Sequence, residues 1–338
     1  MLKAALIGVG KWAHGGWFQT LLDGAGSSLL ELSIVDVEAS IPAHIAKDPR
    51  SYLVTYVSQQ EQQSIPILDL AVIAVPAKLH LECIEKILPR VRPGGSVLCE
   101  KPGGDSMIEF KTMWNLCRQH DVEFAISDHY LVRSAVQSLF AQKQDIWVSV
   151  RDAKRVIATM TETQPTGPDQ NVDFDMTVHL LNLIHVLFPT GTYEPTLTMQ
   201  SHATVNAHVD VTYSLSQGDI AFGTRKIPCQ VEVGKQMPQD CKQIVIESSS
   251  GDQILDLSYS PGWRYDRIIH DVASGIPITN GRGQNGAVPP VIAQQTWKSM
   301  ERARGQAQKV PAYSPRSLPE LKGIDRWHAQ TRDERPSS

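Results

Sequence analysis

A short apolar run, Lys3-Ala4-Ala5-Leu6-Ile7, breaks at once into Gly8-Val9-Gly10-Lys11-Trp12-Ala13. A strand that turns through Gly-x-Gly-x-x-Ala leaves few folds open, because each small residue removes a particular obstruction. Gly8 permits a tight turn, Gly10 lets a pyrophosphate approach the backbone, and Ala13 keeps the following helix close to the sheet. Glycines are also common in turns for conformational reasons alone, so the surroundings decide. Asp36 closes a second apolar run, residues 32–36, and stands 26 residues after Gly10. A carboxylate near that distance accepts hydrogen bonds from a ribose and repels a 2′-phosphate. No arginine follows in Val37-Glu38-Ala39-Ser40, so the reading is a dinucleotide site for NAD rather than NADP, with Lys11 and Trp12 inside the turn.

Further strand-like runs at residues 68–75, 95–99 and 123–126 alternate with helical stretches. That is the pattern of crossover units in a doubly wound parallel sheet, buried on both faces. At 338 residues the chain exceeds one ordinary core. The expected division is a Rossmann domain at 1–127, an α+β domain at 128–313 and a polar tail at 314–338. Runs at 146–153, 196–203, 208–215, 220–224, 230–233 and 243–247 predict an open, mostly antiparallel sheet in the second domain. Residues 156–170, with Pro165-Thr166-Gly167-Pro168, read as a loop over a cleft, and 265–271 and 291–304 as helices.

Partner classes follow from charge and cysteine usage. Lys+Arg 32 against Asp+Glu 36 gives a net charge of -4, which supplies no field for nucleic acid or an anionic membrane. No apolar run reaches bilayer-spanning length. The opening Met1-Leu2-Lys3-Ala4 has no signal-peptide pattern. Five cysteines with no C-x-x-C pair fit reduced thiols and argue against structural zinc. A cytoplasmic protein that acts on a small molecule, without a metal, is expected.

Val97-Leu98-Cys99-Glu100-Lys101-Pro102 places a charged pair at the carboxyl end of a buried strand, where open α/β sheets hold their ligands. Together with the glycine turn and with Val75-Pro76 followed by His80, this resembles the glucose-fructose oxidoreductase and inositol dehydrogenase family, Gfo/Idh/MocA. The resemblance implies a Rossmann domain joined to an α+β domain, a homodimer or homotetramer, and cofactor contacts from Val75, Pro76, His80, Glu100 and Lys101. It also implies that Lys101 reaches the reacting hydroxyl, where a cation stabilises developing negative charge.

Asp175-Met176-Thr177-Val178-His179 opens an apolar helix and is similar to the family's D-x-x-x-H. Residues four apart share a helix face, and the resemblance makes His179 the general base, with Asp175 on a substrate hydroxyl or on the His179 ring. His185 and Asp173 lie off that face; His185 reads as a core residue. Ser127-Asp128-His129-Tyr130-Leu131-Val132-Arg133 resembles the D-H-Y-L-G-K signature of glucose-6-phosphate dehydrogenases, with Val132 and Arg133 as departures. By that likeness Asp128 would orient His179, while His129, Tyr130 and Arg133 would bind an anion. Arginine is a good bidentate phosphate ligand, although a surface position for Arg133 fits equally well. The sequence thus predicts hydride transfer between NAD and a secondary hydroxyl or ketone of a sugar or cyclitol, phosphorylated or carried on a nucleotide in some cases. The alternatives are oxidation at an anomeric carbon, as in glucose-6-phosphate dehydrogenase, and a non-catalytic dinucleotide sensor.

Overall fold

The computed structural model describes residues 1–10, 13–36, 42–58, 64–133, 136–137, 140, 150–164, 171–205, 208–258, 265–280 and 285–310. Lys11, Trp12, residues 37–41 and the tail from 314 lie outside the described residues. Two seven-stranded sheets carry the molecule.

The first sheet consists of β1 (Leu2–Ile7), β2 (Leu30–Asp36), β3 (Val54–Ser58), β4 (Leu68–Ile73), β5 (Val91–Glu100) and β6 (Glu123–Ser127), all parallel, in the order β6-β5-β4-β1-β2-β3. Strand order reverses beside β1, and ligands of open α/β sheets bind outside the carboxyl ends at such a reversal. Ala4, Leu6, Leu32, Ile34, Leu70, Val72, Val97 and Leu98 are buried, as a sheet covered on both faces requires. Its covering helices include α1 (Gln19–Gly26), α2 (His80–Ile87) and α3 (Met107–Gln119). Helix α3 starts where Ser106 Oγ accepts from the Glu109 backbone N–H, while Glu109 reaches back to the N–H of Asp105.

The second sheet runs β12-β11-β7-β10-β9-β8-β14, built from β7 (Ala153–Glu162), β8 (Thr192–Val205), β9 (His208–Phe222), β10 (Arg225–Lys235), β11 (Cys241–Ser248), β12 (Gln253–Asp256) and, after the return described below, β14 (Ala307–Val310). Helix α4 (Val178–Leu187) is buried along its whole length. Three expectations change here. Residues 156–162 are strand rather than loop, because Val156, Ala158 and Met160 pack into the core while the Pro-Gly signal lies further on. Val150 to Asp152 are helix and turn and β7 begins at Ala153; the part of the expected run at 146–149 lies outside the described residues. The runs at 208–215 and 220–222 are one long strand whose middle, Ser216 to Asp219, stays paired with β10, while Gly223 and Thr224 form the turn into β10. The sheet is mostly antiparallel, but β10 lies parallel to β7 and β14 parallel to β8.

The chain then returns to the first sheet. Helix α5 (Asp266–Ala273) packs Ile268 and Ile269 into the core that contains Trp17, Phe18 and Leu22. Strand β13 (Ala287–Val288) pairs antiparallel with β6 and forms the edge of the first sheet. Helix α6 (Pro290–Gly305) packs on α4 and β8. A cut at 127/128 therefore divides the chain but not the packing.

Candidate active site

Residues singled out in the sequence gather at the carboxyl ends of β1, β2, β4, β5 and β6. Gly8 has φ +85, and a Cβ there would meet Val75 Cγ1 at 2.6 Å and the Ala74 carbonyl at 2.9 Å. Only glycine fits that approach. Gly10 is exposed, and a Cβ on it would meet nothing within 4 Å. The turn thus offers a bare backbone concavity of the kind a pyrophosphate fills, so these residues fit a dinucleotide. Asp36 Oδ2 accepts from the Val9 N–H at 2.9 Å, which ties the end of β2 to the turn. Ala13 is buried beneath it.

Pro76 is exposed and Val75 half-buried beside Gly8. His80 is fully buried: Nδ1 accepts from the Gly104 N–H at 3.1 Å and Nε2 donates to the Val75 carbonyl at 2.9 Å. Both ring nitrogens are consumed, so His80 ties the loop after β4 to the loop after β5 and offers no group to a cofactor. Burial pushes its pKa down to about 4.

Glu100 is held from behind. Its Oε1 accepts from Trp17 Nε1 and from Ser127 Oγ, both at 2.9 Å, and burial raises its pKa against these bonds. Trp17 stacks on Tyr265 at 3.8 Å, and the Tyr265 hydroxyl lies 3.1 Å from Ser127 Oγ. The following Lys101-Pro102 peptide is cis, and the Pro102 carbonyl accepts from Trp297 Nε1 at 3.0 Å. Lys101 Nζ donates to Asp175 Oδ1 at 2.7 Å and to its carbonyl at 3.1 Å. Burial works upward on the Asp175 carboxyl, but Lys101, His179 and Lys235 outweigh it and hold it below the usual range.

His179 does not share a partner with Asp175. Residues Asp173–Thr177 form a π-type turn ahead of α4, which rotates Asp175 away from the direction an α-helical i,i+4 pair would take. His179 Nδ1 instead bonds Asp128 Oδ1 at 2.8 Å. Asp128 also accepts from the Tyr130 N–H at 3.0 Å and from Asn182 Nδ2 at 2.9 Å, and Thr296 Oγ1 donates to Asn182 Oδ1 at 2.8 Å. An aspartate at Nδ1 fixes the tautomer in which Nε2 is the proton acceptor. His129 and Tyr130 each lie 4.7 Å from the His179 ring, centre to centre. Burial, then the charges of His179 and Arg133, pushes His129 well below its ordinary value. Asp128, His129 and His179 are close enough to share an ion, but Asp128 and His179 already satisfy one another.

Arg133 is not a surface residue. It is 8% exposed, its guanidinium sits 3.9 Å from the Tyr130 ring centre, and it donates to the Leu257 carbonyl. Sequence reasoning missed Trp17, Tyr265, Asn182 and Thr296. Asn182, three residues beyond His179 on one helix face, carried a usable signal; the others come from distant segments.

A glycine turn at the reversal point of a doubly wound sheet, facing a buried Asp-His pair across the domain junction, defines a two-domain Rossmann protein with a candidate catalytic centre. Residues 2–127 match the oxidoreductase family with an NAD-binding Rossmann fold, GFO_IDH_MocA. No curated protein matches the sequence. Solved structures similar to this one include UDP-N-acetylglucosamine 3-dehydrogenase GnnA from Acidithiobacillus ferrooxidans, with TM-score 0.66 and 16% identity over 90% of this chain and 97% of that one. GenD2 from gentamicin A biosynthesis, in complex with NAD, gives TM-score 0.67 and 15% identity over 90% and 93%. A variant of KijD10, a 3-ketoreductase from Actinomadura kijaniata with TDP-benzene and NADP, gives TM-score 0.67 and 12% identity over 92% and 99%. At such identities the likeness is one of fold.

Proposed function

We propose that the protein transfers hydride between a nicotinamide dinucleotide and a secondary hydroxyl or ketone of a sugar. The observation that carries this reading is the Asp128-His179 bond beside Lys101. When bound, the dinucleotide supplies the hydride acceptor or donor, held by Gly8, Gly10, Val75 and Pro76. His179 Nε2 removes the hydroxyl proton in the oxidising direction and returns it in the reducing one. Asp128, with three donors of its own, keeps the ring oriented and stabilises its protonated form. Lys101, placed by Asp175, stabilises charge on the substrate oxygen.

Asp36 favours NAD, since its carboxylate closes the ribose end of the turn to a 2′-phosphate; the similar structures include one complex with NAD and one with NADP. GnnA and KijD10, named for a sugar dehydrogenase and a ketoreductase, support a sugar substrate. The test is reduced-nicotinamide formation with both dinucleotides across free sugars, sugar phosphates, nucleotide sugars and cyclitols, with wild type and His179→Asn side by side. Turnover yielding a ketone, lost in the variant, is expected. A lactone product would move the reaction to the anomeric carbon, and a protein that binds dinucleotide yet turns over nothing would be a sensor.

A further inference from the structure

Strands β7, β10 and β11 bring a second set of charges to the face that looks toward Lys101 and His179, and none of them has a part in the chemistry above. Lys235 stands opposite Glu162, and Lys242 opposite Met160, so the three charged side chains project from one face of the sheet. Glu162 Oε1 accepts from Lys242 Nζ at 2.5 Å, and its other oxygen accepts from Lys235. Lys235 Nζ also lies 3.8 Å from Asp175 Oδ2, which joins the group to the Lys101-Asp175 pair. On the other side Leu257 links Lys242 to Arg133. Its N–H donates to the Lys242 carbonyl at 2.6 Å, and its own carbonyl accepts from the Arg133 guanidinium. Nε of Arg133 is buried with no hydrogen-bond partner among the described residues.

These charges do not cancel. Asp175 matches Lys101, and Asp128 is taken up by His179 and Asn182. Glu162 is one carboxylate between two ammonium groups, while among the described residues the Arg133 guanidinium meets a carbonyl and an aromatic ring and no carboxylate. Asp240 is exposed at the rim, where it holds the Thr163 N–H. Positive charge is left in excess where water is scarce, and cations so placed are costly without an anion.

We propose that Lys235, Lys242 and Arg133 form a phosphoryl-binding subsite of the substrate cleft, in which Glu162 is a resident competitor that holds the two lysines until the ligand's anion arrives. The subsite rests on the sugar oxidoreductase reading, and its ligand is either a phosphomonoester of a sugar or the diphosphate of a nucleotide sugar. Arginine and lysine recognise the same phosphoryl oxygens in both.

The test is calorimetric titration of inorganic phosphate, and in parallel of UDP, into protein saturated with the dinucleotide that it binds more tightly, so that the glycine turn is filled. Lys242→Met is expected to weaken binding about tenfold or more, as loss of a charge-assisted bond implies. Glu162→Gln is expected to tighten binding several-fold, and exposed Lys86→Met to change nothing. A response with phosphate marks a monoester site, and one confined to UDP marks a diphosphate site. Affinities for both probes that ignore Lys242→Met and Glu162→Gln would overturn the subsite, even with sugar turnover intact. The predicted variant pattern in a protein that oxidises none of the panel would instead overturn the oxidoreductase reading and leave the subsite standing.

Discussion

Asp128 is fully buried and accepts from three separate donors, so its charge is compensated by geometry that any substitution disturbs. Asparagine at His179 should lower kcat about a hundredfold or more and leave dinucleotide binding intact, as steady-state kinetics and fluorescence titration would read. Unchanged kcat would remove His179 from the chemistry. Two other histidines give a stability prediction. Burial holds His80 and His185 neutral with pKa values of about 4, against an ordinary 6.5. Between these values the unfolded chain binds protons that the folded one refuses. Stability is therefore full above about 6.5 and falls toward pH 4, by about 1.4 kcal/mol per pH unit for each histidine. Urea midpoints should drop between pH 7.5 and 5, and less steeply in His185→Gln; a flat profile would reject the assignment. At this scale the sequence made Asp128, His179 and Lys101 visible, because local motifs carry them. Lys235, Glu162 and Lys242 stayed hidden, since strand register alone brings Lys242 and Glu162 together across 80 positions.

The glycine turn between β1 and α1 separates two requirements that one motif combines. A methyl at Gly8 would strike Val75 and the Ala74 carbonyl, with φ already at +85, whereas a methyl at Gly10 would strike nothing in the protein. Gly8→Ala is thus expected to cost about 1–3 kcal/mol of stability, readable as a lower Tm. Gly10→Ala should leave Tm within about 1 °C, because an exposed substitution touching nothing is near neutral, yet weaken dinucleotide binding. A Gly10 variant with wild-type affinity would show that the turn does not cradle phosphate. Parallel strands of the first sheet were legible because two covered faces demand unbroken apolar runs. β7 was not, since its end and the Pro-Gly signal that follows sit within one short segment. No local pattern distinguishes the parallel β10-β7 pair from a hairpin neighbour.

Across the whole molecule, the return of residues 265–288 makes the first sheet depend on the last third of the chain. Tyr265 stacks on Trp17, its N–H reaches Thr20 Oγ1 at 3.3 Å, and Ile268 and Ile269 complete the core beneath α1. A fragment ending at residue 127 should therefore expose that core and lack a cooperative urea transition. A sharp transition at the full chain's midpoint would show the first domain to be self-sufficient. The same return has a temporal consequence. Ser127 gains its edge partner Ala287 only 287 − 127 = 160 residues later. At a synthesis rate of about 5–20 residues per second, the nascent chain waits roughly ten to thirty seconds with β6 paired to β5 on one side and open on the other. During that interval the growing polypeptide carries an open strand edge beside the ribosome, where another unfinished chain can pair with it.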